Sequence, residues 1–133
     1  MSERLPIDAR TRSRIDSLGL EFLAEIYRAE LQRHPENLDA LGELGHVLTR
    51  LGRFEEGLEV DRILVGQCPG DPTALYNLAC SLALLGRADE AVDTLEEAVR
   101  QGYTDLEHLE QDEDLANLHG LVRFETLLGQ LRG

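Results

Sequence analysis

The sequence has no lysine and no tryptophan among its 133 residues. All 13 basic residues are therefore arginines; the chain has 26 acidic residues and a formal net charge of −13. A surface this acidic repels phosphate groups, which argues against nucleic acid and anionic membranes as partners. A basic partner protein is compatible with this charge, and so is an ordinary solvated surface.

Long apolar runs and closely spaced cysteines are also missing. No stretch approaches the roughly 18 apolar residues that span a bilayer, and the N-terminal segment lacks the apolar core of a signal peptide. Cys68 and Cys80 form no CxxC pair and have no histidine at metal-ligand spacing. These observations predict two free thiols in a reducing compartment, and hence a cytoplasmic protein.

Enzyme signatures are equally scarce, with no Walker loop, GxGxxG, HExxH or GxSxG motif. His108 and His119 flank the acidic residues 110–114, where a weak divalent-metal site is conceivable, but solvated acids and helix caps explain the same residues. Cys80 has no base or oxyanion donor marked beside it. We therefore predict no catalytic residues, no metal and no cofactor.

The charges are distributed unevenly along the chain. The basic residues of the first stretch are Arg4, Arg10, Arg12 and Arg14. The acidic residues crowded into the last third are Asp105, Glu107, Glu110, Asp112, Glu113 and Asp114. Ends of opposite charge would favour head-to-tail self-association, although solvation accounts for them as well.

The chain does contain the same segment twice. LGRFEEGLEVDRIL begins at Leu51, and LGRADEAVDTLEEA begins at Leu85, 34 residues later. The offset also aligns these pairs: Leu41 and Leu75, Leu44 and Leu78, Gly45 and Ala79, Leu48 and Leu82, Gly52 and Gly86, Gly57 and Ala91, Pro35 and Pro69. A fixed period of this length is typical of a repeat architecture.

Each copy is predicted to form a helical hairpin. Leu41, Leu44 and Leu48 lie on one face of a helix, with the small Gly45 among them. A second helix follows, over about residues 54–67 in the first copy, and small residues let the two helices approach closely. Because one hairpin cannot bury its apolar faces alone, the copies must stack.

This pattern resembles the tetratricopeptide repeat family. The matching residues are Leu44, Gly45, Leu48, Gly52, Phe54, Gly57, Leu58 and Pro69 in the first copy, and Tyr76, Leu78, Ala79, Leu82, Gly86, Ala91, Leu95, Ala98 and Val99 in the second. The resemblance implies an all-α fold: a short right-handed solenoid of antiparallel helix pairs with helical caps at both ends. Asp61 departs from the family, which usually has a large apolar residue there, so the packing of this helix is expected to be weaker.

We expect a single domain over residues 1–133. Its predicted parts are a degenerate N-terminal helical half-repeat or cap (1–37), repeat 1 (38–71), repeat 2 (72–105) and C-terminal capping helices (106–133). The apolar stripe of the N-terminal part is Phe22, Leu23, Ile26, Tyr27 and Leu31. Its partner helix is predicted at about residues 8–18, with a one-residue mismatch around Gly19.

The period changes after Asp105. A third copy in register would place Asp112 and Glu113 in the core, where unpaired carboxylates are strongly destabilising. We expect Thr104 or Asp105 to cap one short helix and Asp112 another, followed by a last helix at about 121–131. The tail resembles the end-of-group segment of some bacterial tetratricopeptide arrays, at Gly102, Leu109, Asp112, Asp114, Leu115, Leu118, Phe124, Leu127 and Leu128.

A partner is predicted to bind the concave face lined by the first helices. The groove residues are Asp39, Glu43, His46, Arg50, Thr73, Tyr76, Asn77, Cys80 and Leu84. Tyr76 and Leu84 are eight residues apart and are expected on one exposed stripe, as apolar anchors beside Asn77. Chaperone-binding members of the family hold a C-terminal carboxylate in a basic clamp, which only Asn77 matches here.

The sequence therefore predicts a non-enzymatic interaction module that binds a peptide or helix of a partner protein, with a basic partner compatible with its charge. One alternative is a small acidic cytoplasmic chaperone for secreted proteins. Another is a self-assembling structural unit, so that homo-oligomerisation stays open.

Overall fold

The computed structural model describes residues 7–133, which contain seven α-helices, one 3₁₀-helix and no β-strand. The α-helices are α1 (Ala9–Arg33), α2 (Leu38–Arg50), α3 (Phe54–Gln67), α4 (Pro72–Leu84), α5 (Ala88–Arg100), α6 (Leu106–Gln111) and α7 (Val122–Arg132). The 3₁₀-helix is Glu113–Leu118. The prediction of an all-α fold is confirmed, while Arg4 and the start of the predicted N-terminal cap lie outside the described residues.

Successive helices pack against one another from α1 to α5, so that the pairs α2/α3 and α4/α5 stack as in a tetratricopeptide-like solenoid. After α5 the chain turns back: the 3₁₀-helix packs on α4 and α5, and α7 packs on α5 and α6. The C-terminal segment therefore closes the end of the stack that repeat 2 leaves open.

The two hairpin turns have the same local structure. Gly52 and Gly86 both have a φ of 77°, in the left-handed region that glycine adopts cheaply. The next residue donates its N–H back into the first helix, from Arg53 to the Leu48 carbonyl and from Arg87 to the Leu82 carbonyl, each at 2.9 Å. These glycine C-caps end both first helices and explain why LGR recurs with the period.

Polar side chains cap the starts of α1, α2, α4, α6 and the 3₁₀-helix. The Asp71 carboxylate accepts hydrogen bonds from the backbone of Thr73 and Ala74 at the start of α4. Asp105 caps α6, and Asp112 caps the 3₁₀-helix through the Asp114 N–H at 2.9 Å. The predicted caps of the C-terminal segment are thus confirmed, and α7 begins within one residue of its predicted start.

The N-terminal part differs from expectation, because α1 runs without a break through Gly19. Asp8 caps the helix by accepting from the Thr11 N–H at 2.7 Å. A single glycine inside a helix costs about 1 kcal/mol, which is not enough to end it when neighbouring turns are intact. The prediction of two helical segments that meet at Gly19 is wrong.

The core runs from α3 into the C-terminal segment. Its fully buried side chains include Leu95 of α5, Leu109 of α6, Leu115 and Leu118 of the 3₁₀-helix, and Phe124 of α7. A smaller cluster joins α1 and α2 through Ala24, Leu44, Val47 and Leu48. None of the helices within residues 7–133 has the length and apolar character needed to cross a bilayer.

Candidate binding groove

Two adjoining depressions lie along α2 and α4. The first, which we call the cap cavity, has a volume of about 230 Å³, and its lining includes His46, Arg50, Asp61, Tyr76, Asn77, Cys80, Ser81, His108, Asp112 and Asp114. The second, the α2–α4 cleft, measures about 400 Å³, and its lining includes Asp39, Glu43, His46, Leu64, Cys68, Thr73 and Asn77. His46 and Asn77 line both, so the two depressions adjoin at these residues.

Eight of the nine predicted groove residues therefore line one depression or both. Asp39, Glu43, His46, Arg50 and Thr73 are exposed, and Asn77 is half-buried. Leu84 is half-buried at the end of α4 and lines neither depression.

Tyr76 is a core residue, and the prediction that it is an exposed anchor is wrong. Only 5% of its surface is accessible. Its ring stacks on Tyr103, with the ring centroids 4.6 Å apart, and its hydroxyl donates a hydrogen bond to Asp112. Both contacts come from residues that follow α5 in the chain. This segment folds back over α4 and covers a side chain that the repeats alone would leave in the groove.

Cys80 is covered by the same segment. Its Sγ lies 3.8 Å from Asp112 Oδ2, and burial, together with the charge of Asp112, raises the pKa of the Cys80 thiol. The thiol is thus held neutral in the wall of the cavity and does not contribute an accessible groove surface. Its expected role as an open groove residue is corrected accordingly.

The residue that most changes the cavity is Asp61, for which the sequence predicts only weaker packing of α3. It is 4% exposed, and the Ser81 hydroxyl donates a hydrogen bond to its Oδ2 at 2.5 Å. Burial raises the pKa of the Asp61 carboxyl to about 6, although the Ser81 hydrogen bond acts in the opposite direction. The sequence signal was present, since an aspartate at an apolar repeat position needs a polar partner.

Gly45 makes room for this carboxylate. A Cβ atom on Gly45 would lie 2.7 Å from Asp61 Oδ1, closer than van der Waals contact allows. The sequence predicts a small residue at the helix crossing as a means of close helix approach. The structure adds that the space beside it is filled by a polar group.

The cap cavity is lined by three carboxyl groups and by one guanidinium, that of Arg50, so acidic side chains outnumber the arginine. Asp112 and Asp114 reach it from the C-terminal segment and Asp61 from α3. Burial is the largest cause of the raised pKa of Asp114, and the neighbouring charges of Asp112 and Glu113 raise it further. His108 Nε2 lies 3.4 Å from Asp112 Oδ2 and partly offsets the charge when protonated. Such a cavity favours a cationic group over an anionic one.

Cys80, Asp112 and Asp114 also place one potential metal-donor atom each within 4.8 Å of one another. Asp112 already accepts hydrogen bonds from Tyr76, Cys80 and the Asp114 N–H, and the buried thiol would have to lose its proton to bind a metal. Internal hydrogen bonds therefore explain this cluster. That the fold needs no metal stays a prediction, which unfolding with and without a chelator would test.

His119 does not join this group. Its ring packs edge-on against Phe124, and its Nε2 lies 3.1 Å from the Glu110 carbonyl oxygen. The pair of histidines that flanks the acidic residues in the sequence is therefore not brought together around them.

Comparison with known families agrees with this architecture. Residues 24–72 and residues 72–101 match two family profiles, both described as tetratricopeptide repeat. Together they cover residues 24–101, which is 78 of the 133 residues and more than half of the chain. The chain belongs to the tetratricopeptide repeat family. The matched region of this tetratricopeptide repeat protein runs from the second half of α1 to the end of α5.

A plant protein is similar over part of its length. This relative, a protein of Arabidopsis thaliana that is named as chloroplastic, is 33% identical over 89 residues, which is 65% of this chain and 27% of the plant protein. The chain thus spans about a quarter of the length of this relative. The similarity concerns a segment of the plant protein and not its whole length.

Proposed function

We propose that this tetratricopeptide repeat protein is a non-enzymatic interaction module that binds a peptide or helix of a partner protein along the α2–α4 cleft and into the cap cavity. Tetratricopeptide repeats suggest a protein–protein interaction module. The family is also generally non-enzymatic. The observation that carries the proposal is that the two depressions adjoin at His46 and Asn77. An extended segment can therefore follow the cleft and direct one side chain into the cavity.

The partner presents an arginine or lysine side chain to the cap cavity. Asp112 and Asp114 supply negative charge at its wall, and Asn77 offers an amide between cavity and cleft. A guanidinium suits this setting, because it donates several hydrogen bonds in a fixed plane and is less strongly hydrated than an ammonium. The remainder of the peptide lies against the exposed Glu43 and Thr73.

A peptide library displayed on phage and selected on the immobilised full chain tests this function. We expect enrichment of sequences with a basic residue at a fixed position. In titrations with an enriched peptide, Asp114→Asn and Asn77→Ala should each weaken binding about tenfold, the effect of roughly 1.4 kcal/mol. Asp89→Asn, at an exposed position of α5, is the matched control and should bind like the unmodified chain. Enrichment without basic residues, or equal affinity of all variants, would contradict the proposal.

The chaperone and the self-assembling unit are the alternatives to a dedicated module. Capture of partners from the native host separates them: one recurring partner supports the module, a set of secreted proteins supports the chaperone, and the chain alone supports self-assembly.

We further propose a cytoplasmic location and a C-terminal segment that ends the array like the bacterial end-of-group tail. Cell fractionation tests the first, and deletion of residues 106–133, which should unfold repeat 2, tests the second.

A further inference from the structure

Helix α1 has apolar residues on two opposite faces. On one face Leu20, Ala24, Tyr27 and Leu31 pack against the repeats. On the other, Ile15, Leu18, Phe22 and Ile26 follow the spacing of a continuous helical stripe, and all four are exposed; Leu18 and Phe22 are 65% and 64% accessible. Large apolar side chains that line up on a solvent-facing helix mark an interaction surface. We call this stripe the α1 outer face.

The repeat offset shows what kind of element is missing there. Shifted by 34 residues, Leu23 and Ile26 of α1 correspond to Gly57 and Val60 of α3. Both of these residues lie against α2. A Cβ atom built on Gly57 would be 3.8 Å from Leu48 of α2, and Val60 lies 3.7 Å from a Cβ atom built on Gly45 of α2. Leu23 and Ile26 are exposed, because no helix within residues 7–133 packs on α1 as α2 packs on α3. The positions of Leu23 and Ile26 thus correspond to a helix-packing face of repeat 1, whereas Phe22 corresponds to the exposed Glu56.

The charges of α1 identify a fitting helix. Its first half carries Arg10, Arg12, Arg14 and Asp16, a net charge of +2, and its second half carries Glu21, Glu25, Arg28, Glu30 and Arg33, a net charge of −1. An antiparallel copy of α1 places the net positive half of each helix beside the net negative half of the other, with Arg14 near Glu25, whereas a parallel copy would oppose halves of like charge. We propose that the α1 outer face is the interface of a symmetric dimer, in which α1 of a second copy of this chain packs antiparallel upon it.

Two further features fit this arrangement. Gly19 lies near the middle of α1, where a two-fold axis would cross, and a Cβ atom built there would have no neighbouring atom within 4 Å, so that two helices can approach closely. The repeats pack on the second half of α1 only, so antiparallel pairing directs the two repeat stacks to opposite ends.

Sedimentation equilibrium of the full chain over a wide concentration range tests the dimer. We expect a monomer–dimer equilibrium, and we expect Leu18→Glu and Phe22→Glu each to raise the dimer dissociation constant about 30-fold or more, as for central apolar residues of an interface. Val122→Glu is the matched control, because Val122 is an exposed apolar residue on α7, 81% accessible. It should leave the dissociation constant unchanged. A chain that is monomeric throughout, or a dimer that survives both α1 variants, would overturn the proposal.

Charge exchange tests the orientation. Arg14→Glu and Glu25→Arg should each weaken the dimer about threefold to tenfold, in line with two symmetric exposed ion pairs. The double variant Arg14→Glu/Glu25→Arg should regain most of the loss, since antiparallel pairing restores opposite charges. A double variant weaker than either single one would show that the helices do not pair antiparallel. All four α1 residues altered in these tests are exposed, so circular dichroism should report an unchanged helical content.

Discussion

Repeat 1 (α2 and α3) and repeat 2 (α4 and α5) share a backbone but not a helix crossing. The residues that start their second helices, Arg53 and Arg87, have the same φ of −89° and ψ of 66°. At the crossing, however, repeat 1 pairs Gly45 with Asp61, and the same positions of repeat 2 hold Ala79 and Leu95, both fully buried. The two repeats therefore share the path of the chain but differ in the side chains that meet at the helix crossing.

The difference shows that a repeat depends on its neighbour. Asp61 is tolerated because Ser81, a residue of repeat 2, donates a hydrogen bond to it. Leu95 requires no such partner and joins the core that reaches into the C-terminal segment. The polar crossing borders the cap cavity, so the divergence of repeat 1 contributes to the candidate site.

A second pair of equivalent positions separates the repeats in the same way. Gly42 of repeat 1 lines the α2–α4 cleft, and its counterpart 34 residues later, Tyr76, is buried by Tyr103 and Asp112. Only repeat 2 is followed by a C-terminal cap. The segment after α5 therefore buries Tyr76 in repeat 2, whereas the equivalent position of repeat 1, Gly42, stays open in the α2–α4 cleft.

The largest expected effect follows from Tyr76. Tyr76→Ala should lower the free energy of unfolding by about 3–5 kcal/mol, because it removes a buried aromatic side chain and leaves a cavity. Tyr76→Phe keeps the ring stacked on Tyr103 but removes the donor to Asp112, and should lose about 1–2 kcal/mol. Urea denaturation measures both. An unchanged midpoint for Tyr76→Ala would mean that the cap does not cover repeat 2 in solution.

The buried Asp61 at the helix crossing of repeat 1 predicts that the free energy of unfolding depends on pH. The ordinary pKa of Asp61 is 3.8, and the folded-state pKa is about 6, so the folded chain holds this proton more tightly than the unfolded chain. The resulting stability is fully present below pH 3.8 and is lost as the pH rises through about 6. Asp61→Asn keeps an acceptor for Ser81 and has no charge to bury.

As the pH rises from about 4 to about 7, the free energy of unfolding of Asp61→Asn should therefore increase by roughly 2–4 kcal/mol relative to that of the unmodified chain. Urea denaturation at several pH values measures the difference. Asp39→Asn, at an exposed position of α2, is the control and should follow the unmodified chain. If the curves of Asp61→Asn and the unmodified chain run parallel, Asp61 is not desolvated and the two crossings are more alike than the structure indicates.

A smaller loss of stability is expected from Gly45→Ala, which places in repeat 1 the residue type that repeat 2 has at the equivalent position, Ala79. The added Cβ would contact Asp61 Oδ1 at 2.7 Å, so overpacking should lower the free energy of unfolding by about 1–3 kcal/mol. Gly66→Ala is the matched control on α3, because its added Cβ would have no atom within 4 Å, and it should be neutral or stabilising. In the presence of Asp61→Leu, the loss from Gly45→Ala should shrink. Equal losses in both backgrounds would disprove the steric link.

The smallest effect concerns the attachment of the cap to repeat 2. The Asn117 side-chain amide donates a hydrogen bond to the Ala83 carbonyl at 2.8 Å. Asn117→Ala should lower the free energy of unfolding by about 1 kcal/mol, the usual contribution of one such bond. Gln130→Ala, at an exposed position of α7, serves as the control in thermal unfolding. A loss above that of Tyr76→Phe would mean that this bond anchors the cap more firmly than the tyrosine does.

Much of the fold was predictable because its signals are local. The helical period of Leu41, Leu44 and Leu48, and the glycine that ends each first helix, depend only on residues within a few turns of one another. The N-caps Asp105 and Asp112 are local signals too. The break at Gly19 was predicted wrongly, because a missing Cβ weakens a helix without specifying an alternative structure.

The sequence by itself determined the number, order and ends of the repeat helices, because spacing and capping are properties of short segments. Only the tertiary structure decided which groove residues remain open. Tyr76 and Cys80 are closed by Asp112, a residue more than 30 positions away in the sequence. Asp61 becomes part of a cavity through a bond to Ser81. Burial depends on which distant segments meet, and helical spacing carries no information about that meeting.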